Sequence, residues 1–181
     1  MKKTFLIILL FLSVFIYANE DILKTYIKNF DSLKNKDFSK ILDVLDIKKI
    51  PTYKIIHGSV LVRKSQFEWF IPLKYYYIYV GMLEMKEVVR NDFDNLVYRY
   101  IRGKTAYEIK DYDFAEQIFI EDFEYIYIRA NEEFKRNYDF GEILYKLYNV
   151  YKEKDKKKAD KYFNELKYIN SKYYGMIENE K

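Results

Sequence analysis

Few residues in this 181-residue chain could do covalent chemistry, and their types narrow that chemistry further. There is one histidine, His57, and no cysteine. Thiolate nucleophiles, disulfides, thiolate zinc sites and iron–sulfur clusters are therefore excluded. His57 lies in KIIHGSV with Ser59 just beyond it, but no G-x-S-x-G elbow or lysine-paired serine surrounds that hydroxyl. We expect a histidine held by a structural hydrogen bond. The acidic residues Glu121, Asp122 and Glu124 lack the Glu-x-x-His partners that helical di-metal sites use, and read as a solvated helix face. The glycines at 58, 81, 103, 141 and 175 are isolated, so no phosphate-cradling loop is present. No catalytic residue, metal or cofactor is expected.

Two other groups of side chains suit binding. The stretch KEKDKKKADK holds Lys152, Lys154, Lys156, Lys157, Lys158 and Lys161 among Glu153, Asp155 and Asp160. We expect a wet turn between two amphipathic helices, with contact to an anionic partner as the alternative. Trp69, Phe70, Tyr75, Tyr76, Tyr77 and Tyr79 crowd one region. Consecutive tyrosines on a helix point in different directions, so part of this cluster must face solvent. Core packing is the first expectation for it, ahead of a peptide-binding groove or a glycan platform.

Charge and hydropathy place the chain. Lys2 and Lys3, the apolar run Phe5 to Tyr17 and the small residue Ala18 follow the three-part pattern of a secretory leader. That run is short of the roughly 20 residues a permanent span needs. Residues 1–18 are read as a cleaved signal peptide, retention as an anchor being the alternative, and no stable membrane span is expected after cleavage. Their removal takes two lysines and no acid, so the formal charge falls from +4 to +2. So small a charge argues against a nucleic-acid partner, which demands a concentrated basic face. With half the residues hydrophobic and a fifth aromatic, the chain can build a core and is not a disordered polymer.

Helices must position these groups. Both prolines, Pro51 and Pro72, fall in the first half, and the remainder runs in long periodic stretches with few turn clusters. Leu96, Tyr100, Gly103, Ala106, Tyr107 and Ile109 recur at helical steps. Lys110-Asp111 breaks the pattern, and Phe114, Ala115, Ile118, Phe119, Phe123, Tyr127 and Ile128 resume it. Two helices result, with Asp111 as the expected cap of the second. Gly103, Ala106 and Ala115 would stand where the helix backbones come closest.

The spacing G-x-x-A-x-x-x-x-x-Y-x-x-A-x-x-x-F, carried by Gly103, Ala106, Tyr112, Ala115 and Phe119 after Tyr100, resembles the tetratricopeptide repeat. A second unit aligns Asp155 with Asp111, which puts Ala159 on Ala115 and Phe163 on Phe119, with Asn131 to Asp139 as spare length. A fainter echo around Lys36-Asp37-Phe38 suggests a turn near the start. The resemblance implies an all-α fold of stacked antiparallel helical hairpins, one domain over 19–181 with its best units at 94–129 and 138–172. It also implies a concave face lined by the first helix of each hairpin. There, helical phase selects Asn95, Tyr98, Arg99 and Arg102 as exposed partner-binding positions.

The middle of the chain is read as a short helix around Gly58 and a long helix after Pro72. A short β-hairpin within 53–80 is the alternative, because SVLVR and YYYIYV are rich in strand formers. The function expected is an exported, non-catalytic interaction scaffold for a protein or peptide of the bacterial cell envelope. An envelope glycan-binding module or enzyme using Trp69 and Tyr75 to Tyr79 is the rival. A structural subunit burying its aromatic faces in an oligomer is a third. Replacing Gly103 by Leu is expected to lower the thermal midpoint, since the larger side chain pushes the helices apart; an unchanged midpoint in a melting curve contradicts a close contact there.

Overall fold

The computed structural model describes residues 21–45, 50–169 and 171–178; the leader read over 1–18 lies outside them. Among the described residues every regular element is a helix. Residues 21–29 form α1, which tightens into a 3-10 turn at Phe30–Ser32. Then come α2 (Asn35–Val44), α3 (Pro51–Ser65), α4 (Ile71–Asn91) and α5 (Leu96–Tyr107). The rest of the chain forms α6 (Asp113–Arg129), α7 (Glu132–Asn137), α8 (Phe140–Tyr151), α9 (Lys156–Tyr168) and α10 (Lys172–Glu178). No helix among the described residues is long and apolar enough to cross a membrane.

The all-α class holds, and the β-hairpin kept open for 53–80 does not form. Its strand-forming residues lie in α3 and α4. The reason is burial. Every residue of α3 from Ile55 to Arg63 is buried, so this helix is enclosed on all sides and carries no clear amphipathic signal. Packing then overrides the preference of Val and Ile for strands.

Local signals set the helix ends. Pro51 and Pro72 sit in the first turns of α3 and α4, where a missing N–H costs nothing. Side-chain oxygens of Asn131, Asp139 and Asp155 accept backbone N–H bonds from Phe134, Glu142 and Lys158 at the starts of α7, α8 and α9. Asp111 does not cap α6. That helix starts one residue later, after Tyr112, with Asp113 and Glu116 in its first turn, where acids favour the positive helix end. The early turn also differs from expectation. It falls at Leu33-Lys34, while Asp37 lies inside α2 and accepts the Lys34 N–H at 2.9 Å. The spare length Asn131 to Asp139 holds the short α7.

The described residues group into two compact units that part between Thr105 and Ala106, inside α5. In the first unit α3 and α4 pair most extensively. Gly58 and Gly81 meet at their crossing: a Cβ built on Gly58 would lie 2.6 Å from the Gly81 carbonyl oxygen, and one on Gly81 would strike the Gly58 carbonyl in turn. Beside this contact His57 Nδ1 lies 2.6 Å from Glu84 Oε2, and one turn away Lys54 Nζ lies 2.6 Å from Glu87 Oε1. Elsewhere in the unit, the Arg63 guanidinium packs 3.9 Å from the centre of the Phe30 ring and 5.1 Å from that of Phe38.

The second unit is centred on the α8–α9 hairpin, with α6 and α10 against α8. Phe119, Phe123 and Ile126 of α6, Ile143, Leu144 and Leu147 of α8, and Ala159, Tyr162 and Leu166 of α9 form its core. In α9 the buried aromatic is Tyr162 rather than the expected Phe163, which is half-buried. Gly103, Ala106 and Ala115 are all buried, the first in one unit and the other two in the second.

Gly58→Ala and Gly81→Ala are each expected to destabilise the protein by about 2 kcal/mol or more, because the new methyl meets backbone that cannot step aside. Gly175→Ala, in α10 with nothing within 4 Å of its added Cβ, should act in the opposite direction by roughly 0.5–1 kcal/mol. Thermal melts of the three variants check the contrast.

Candidate functional site

The glycine contact decides which side of α4 faces out. Gly81, Ile78, Met82, Met85, Val88 and Val89 turn inward. At about 100° per residue Tyr79 and Leu83 lie nearly opposite Gly81, and Ile71 and Tyr75 precede them in a row of steps of four, with Tyr76 beside it. All five are exposed, Tyr79 to 68%. The α3–α4 turn adds Phe67, Phe70 and Trp69, the last 87% exposed. Core packing of this cluster is thus overturned for most of its members; Tyr77 alone among the six is half-buried, under the Lys64 ammonium at 5.4 Å. The turn is ordered by Glu68, whose Oε1 accepts the Phe70 N–H at 3.0 Å. Trp69 and Phe70 lie against each other with ring centres 6.0 Å apart. The apolar row runs along roughly 18 Å of helix, and Lys86 and Arg90 continue it on the same side, exposed.

The four positions selected by helical phase behave differently. Asn95 caps α5: its Oδ1 accepts from the N–H groups of Val97 and Tyr98, both at 3.1 Å. Tyr98, Arg99 and Arg102 are buried rather than exposed. Arg99 is fully enclosed, with Nε donating to the Phe93 carbonyl at 2.9 Å and the guanidinium 4.0 Å from the Phe93 ring centre. The same spacing that marks an exposed stripe also marks a buried one, and an arginine stem with a planar head is well suited to packing under an aromatic ring.

The catalytic candidates do not converge. His57 and Ser59 lie two residues apart on α3, hence about 200° apart around the axis. His57 turns to Glu84, while the Ser59 hydroxyl lies in a buried chain, 2.7 Å from Tyr26 Oη and 2.5 Å from Thr105 Oγ1. Among the described residues no group of three or more His, Cys, Asp or Glu side chains is arranged to hold a metal.

The acidic run and the lysine run, expected on solvated faces, are partly drawn together in the second unit. Asp122 is fully buried. Glu124 Oε1 accepts from Tyr151 Oη at 2.8 Å, Lys158 Nζ at 2.8 Å and Tyr162 Oη at 3.2 Å. Burial alone would raise the Glu124 carboxyl; the bonds from Lys158 and Tyr151 outweigh it and hold the group below the ordinary range. Lys158 is raised in turn by Glu124 and Tyr151. Burial, then the Glu124 charge, raises Tyr162. Lys154 pairs with Glu116, while Lys152 faces solvent in the α8–α9 turn. The geometry is that of a three-helix staple in which one carboxylate oxygen accepts three donors.

Chemistry at α4 is different: large rings with wet polar tips, a single acid at one end of the row and two cations at the other. Sequence reasoning located the cluster but not its exposure. The missed signal was Gly81, whose place on α4 nearly opposite Tyr79 and Leu83 marks the inward side. Comparison with known proteins finds no matching family model, curated protein or solved structure.

Because the Glu124 carboxyl is depressed in the folded protein, its contribution is present above the unfolded carboxylate range and is lost as the pH falls through the folded value. Glu124→Gln is expected to lower the urea midpoint at neutral pH, and the gap from the parent protein should shrink near pH 3. Denaturation curves at the two pH values test this, with Glu153→Gln in the exposed turn as the silent control.

Proposed function

We propose that the protein is an exported, non-catalytic interaction scaffold of the cell envelope, built of stacked helical hairpins like those of tetratricopeptide repeats, which docks a protein through the outward face of α4. One observation carries this: a continuous row of large apolar and aromatic side chains left open to solvent beside the tightest helix crossing in the unit. Single exposed apolar residues are ordinary on a protein surface, but a contiguous patch beyond a few hundred Å² marks a contact site. Tyrosine and tryptophan are the residues that protein interfaces enrich. The leader-like residues 1–18 support export. The two antiparallel pairs, α3–α4 and α8–α9, support the hairpin architecture.

The docking face differs from the one that the repeat resemblance implies. Buried Tyr98, Arg99 and Arg102 cannot meet a partner without unpacking α5, so the binding role passes to α4. A glycan platform is favoured by the same 87% exposure of Trp69, since an open indole ring stacks on a sugar face.

A photo-crosslinking amino acid placed at Tyr79 separates the two. Protein adducts from position 79, and none from the exposed turn position Glu153, are the expected outcome. Retention of the protein on isolated peptidoglycan, lost in Trp69→Ala, with no protein adduct at 79, would replace docking by glycan binding.

A further inference from the structure

We propose that the partner docked on α4 is a second copy of this chain, packed antiparallel across a two-fold axis that passes α4 midway between Tyr75 and Tyr79. The inference rests on reading this face as a protein-docking surface, and three features of the face point to a self-match.

The first is area. With about 200 Å² for a large side chain, the exposed fractions along the row and the α3–α4 turn amount to on the order of 900 Å². That matches the roughly 800 Å² that each partner gives to a stable interface.

The second is the symmetry of the row itself. A two-fold interface is isologous, so every residue must suit the one that the axis sets against it. An axis at the level midway between Tyr75 and Tyr79 sets Ile71 against Leu83 of the other copy, and Tyr75 against Tyr79. Apolar meets apolar, and ring meets ring, at each step. The row has the four-residue spacing of the ridges that interlock in the commonest helix packing, in which the rows of two helices run alongside each other.

The third is charge. The same axis brings Glu68, before α4, level with Lys86 of the other copy, near the far end of its row. Lys86 is exposed and Glu68 half-buried. Each end of the interface thus gains an opposite-charge pair, and the pairing occurs twice. A parallel arrangement would set Lys86 and Arg90 against their own copies and leave both acids together.

The test uses the protein purified after expression of the full chain, with mass measured by light scattering over roughly 1–100 μM. A dimer is expected, with a dissociation constant raised about 30-fold or more by Tyr79→Glu, which places a carboxylate at the centre of the contact. Glu68→Lys alone should weaken the dimer about fivefold, as like charges meet at each end, and adding Lys86→Glu should restore it. Circular dichroism shows whether each variant keeps its helices. A dimer indifferent to Tyr79→Glu, or a charge exchange that fails to restore, overturns the arrangement. A parent protein that is monomeric at the highest concentration also overturns it. If the crosslinker at position 79 still captures a different protein, docking on α4 stands without self-association; if it captures nothing, both fall. Binding of the monomer to vesicles of phosphatidylglycerol and phosphatidylethanolamine, lost in Trp69→Ala, would assign the face to lipid instead.

Discussion

The contact between Gly58 and Gly81 is the constraint on which the first unit depends. Two backbones meet there with no side chain between them, and each glycine's carbonyl occupies the space that a Cβ on the other would need. Nothing larger than hydrogen is tolerated at either position, so the crossing point of α3 and α4 and the rotation of each helix about its axis are determined together. The His57–Glu84 hydrogen bond and the Lys54–Glu87 ion pair follow from that registration, because they join the turns next to the crossing. The only histidine of the chain is thereby committed to holding two helices together. With the middle of α3 buried on every side, the helix pair serves as the frame on which the outward residues of α4 are displayed.

Helix content was legible because its signals are local. Pro72 at the start of α4 and the 3.6-residue recurrence in α5, α6, α8 and α9 all act within one or two turns. Which face of a helix is buried was less legible, because that depends on partners distant in sequence. Asn95, Tyr98, Arg99 and Arg102 show the difficulty. Polar residues at helical spacing read as a solvent stripe, yet Arg99 buries its length and satisfies part of its head with the Phe93 carbonyl and ring. Gly103, Ala106 and Ala115 are buried, while the close backbone approach at Gly58 and Gly81 joins residues that share no local motif and sit on different helices.

The second unit solves its packing problem with polar groups as well as apolar ones. One carboxylate oxygen of Glu124 draws in donors from α8 and α9, and the tyrosine rings that supply two of those donors stack on each other with centres 6.0 Å apart. A chain without cysteine has no covalent means of tying three helices. A carboxylate on α6 that accepts one donor from α8 and two from α9 ties the three helices by geometry. That is why an acidic run that reads as solvated in sequence is found partly enclosed in the structure. The lysine opposite lies 34 positions further along the chain, beyond the reach of pattern reading.

The aromatic face of α4 follows from the same geometry that holds the first unit together. Turning α4 by half a revolution to bury Tyr75 and Tyr79 would carry a ring to the place where the Gly58 carbonyl lies, and no side chain fits there. The rings therefore face outward as a consequence of the crossing, not for want of core. Tyrosine suits such a face in two states. Its hydroxyl keeps the uncovered surface hydrated, while its ring supplies the apolar area that a partner can cover. Placing Lys86 and Arg90 beyond the end of the row, and Glu68 before its start, keeps charge at the rim of the apolar face.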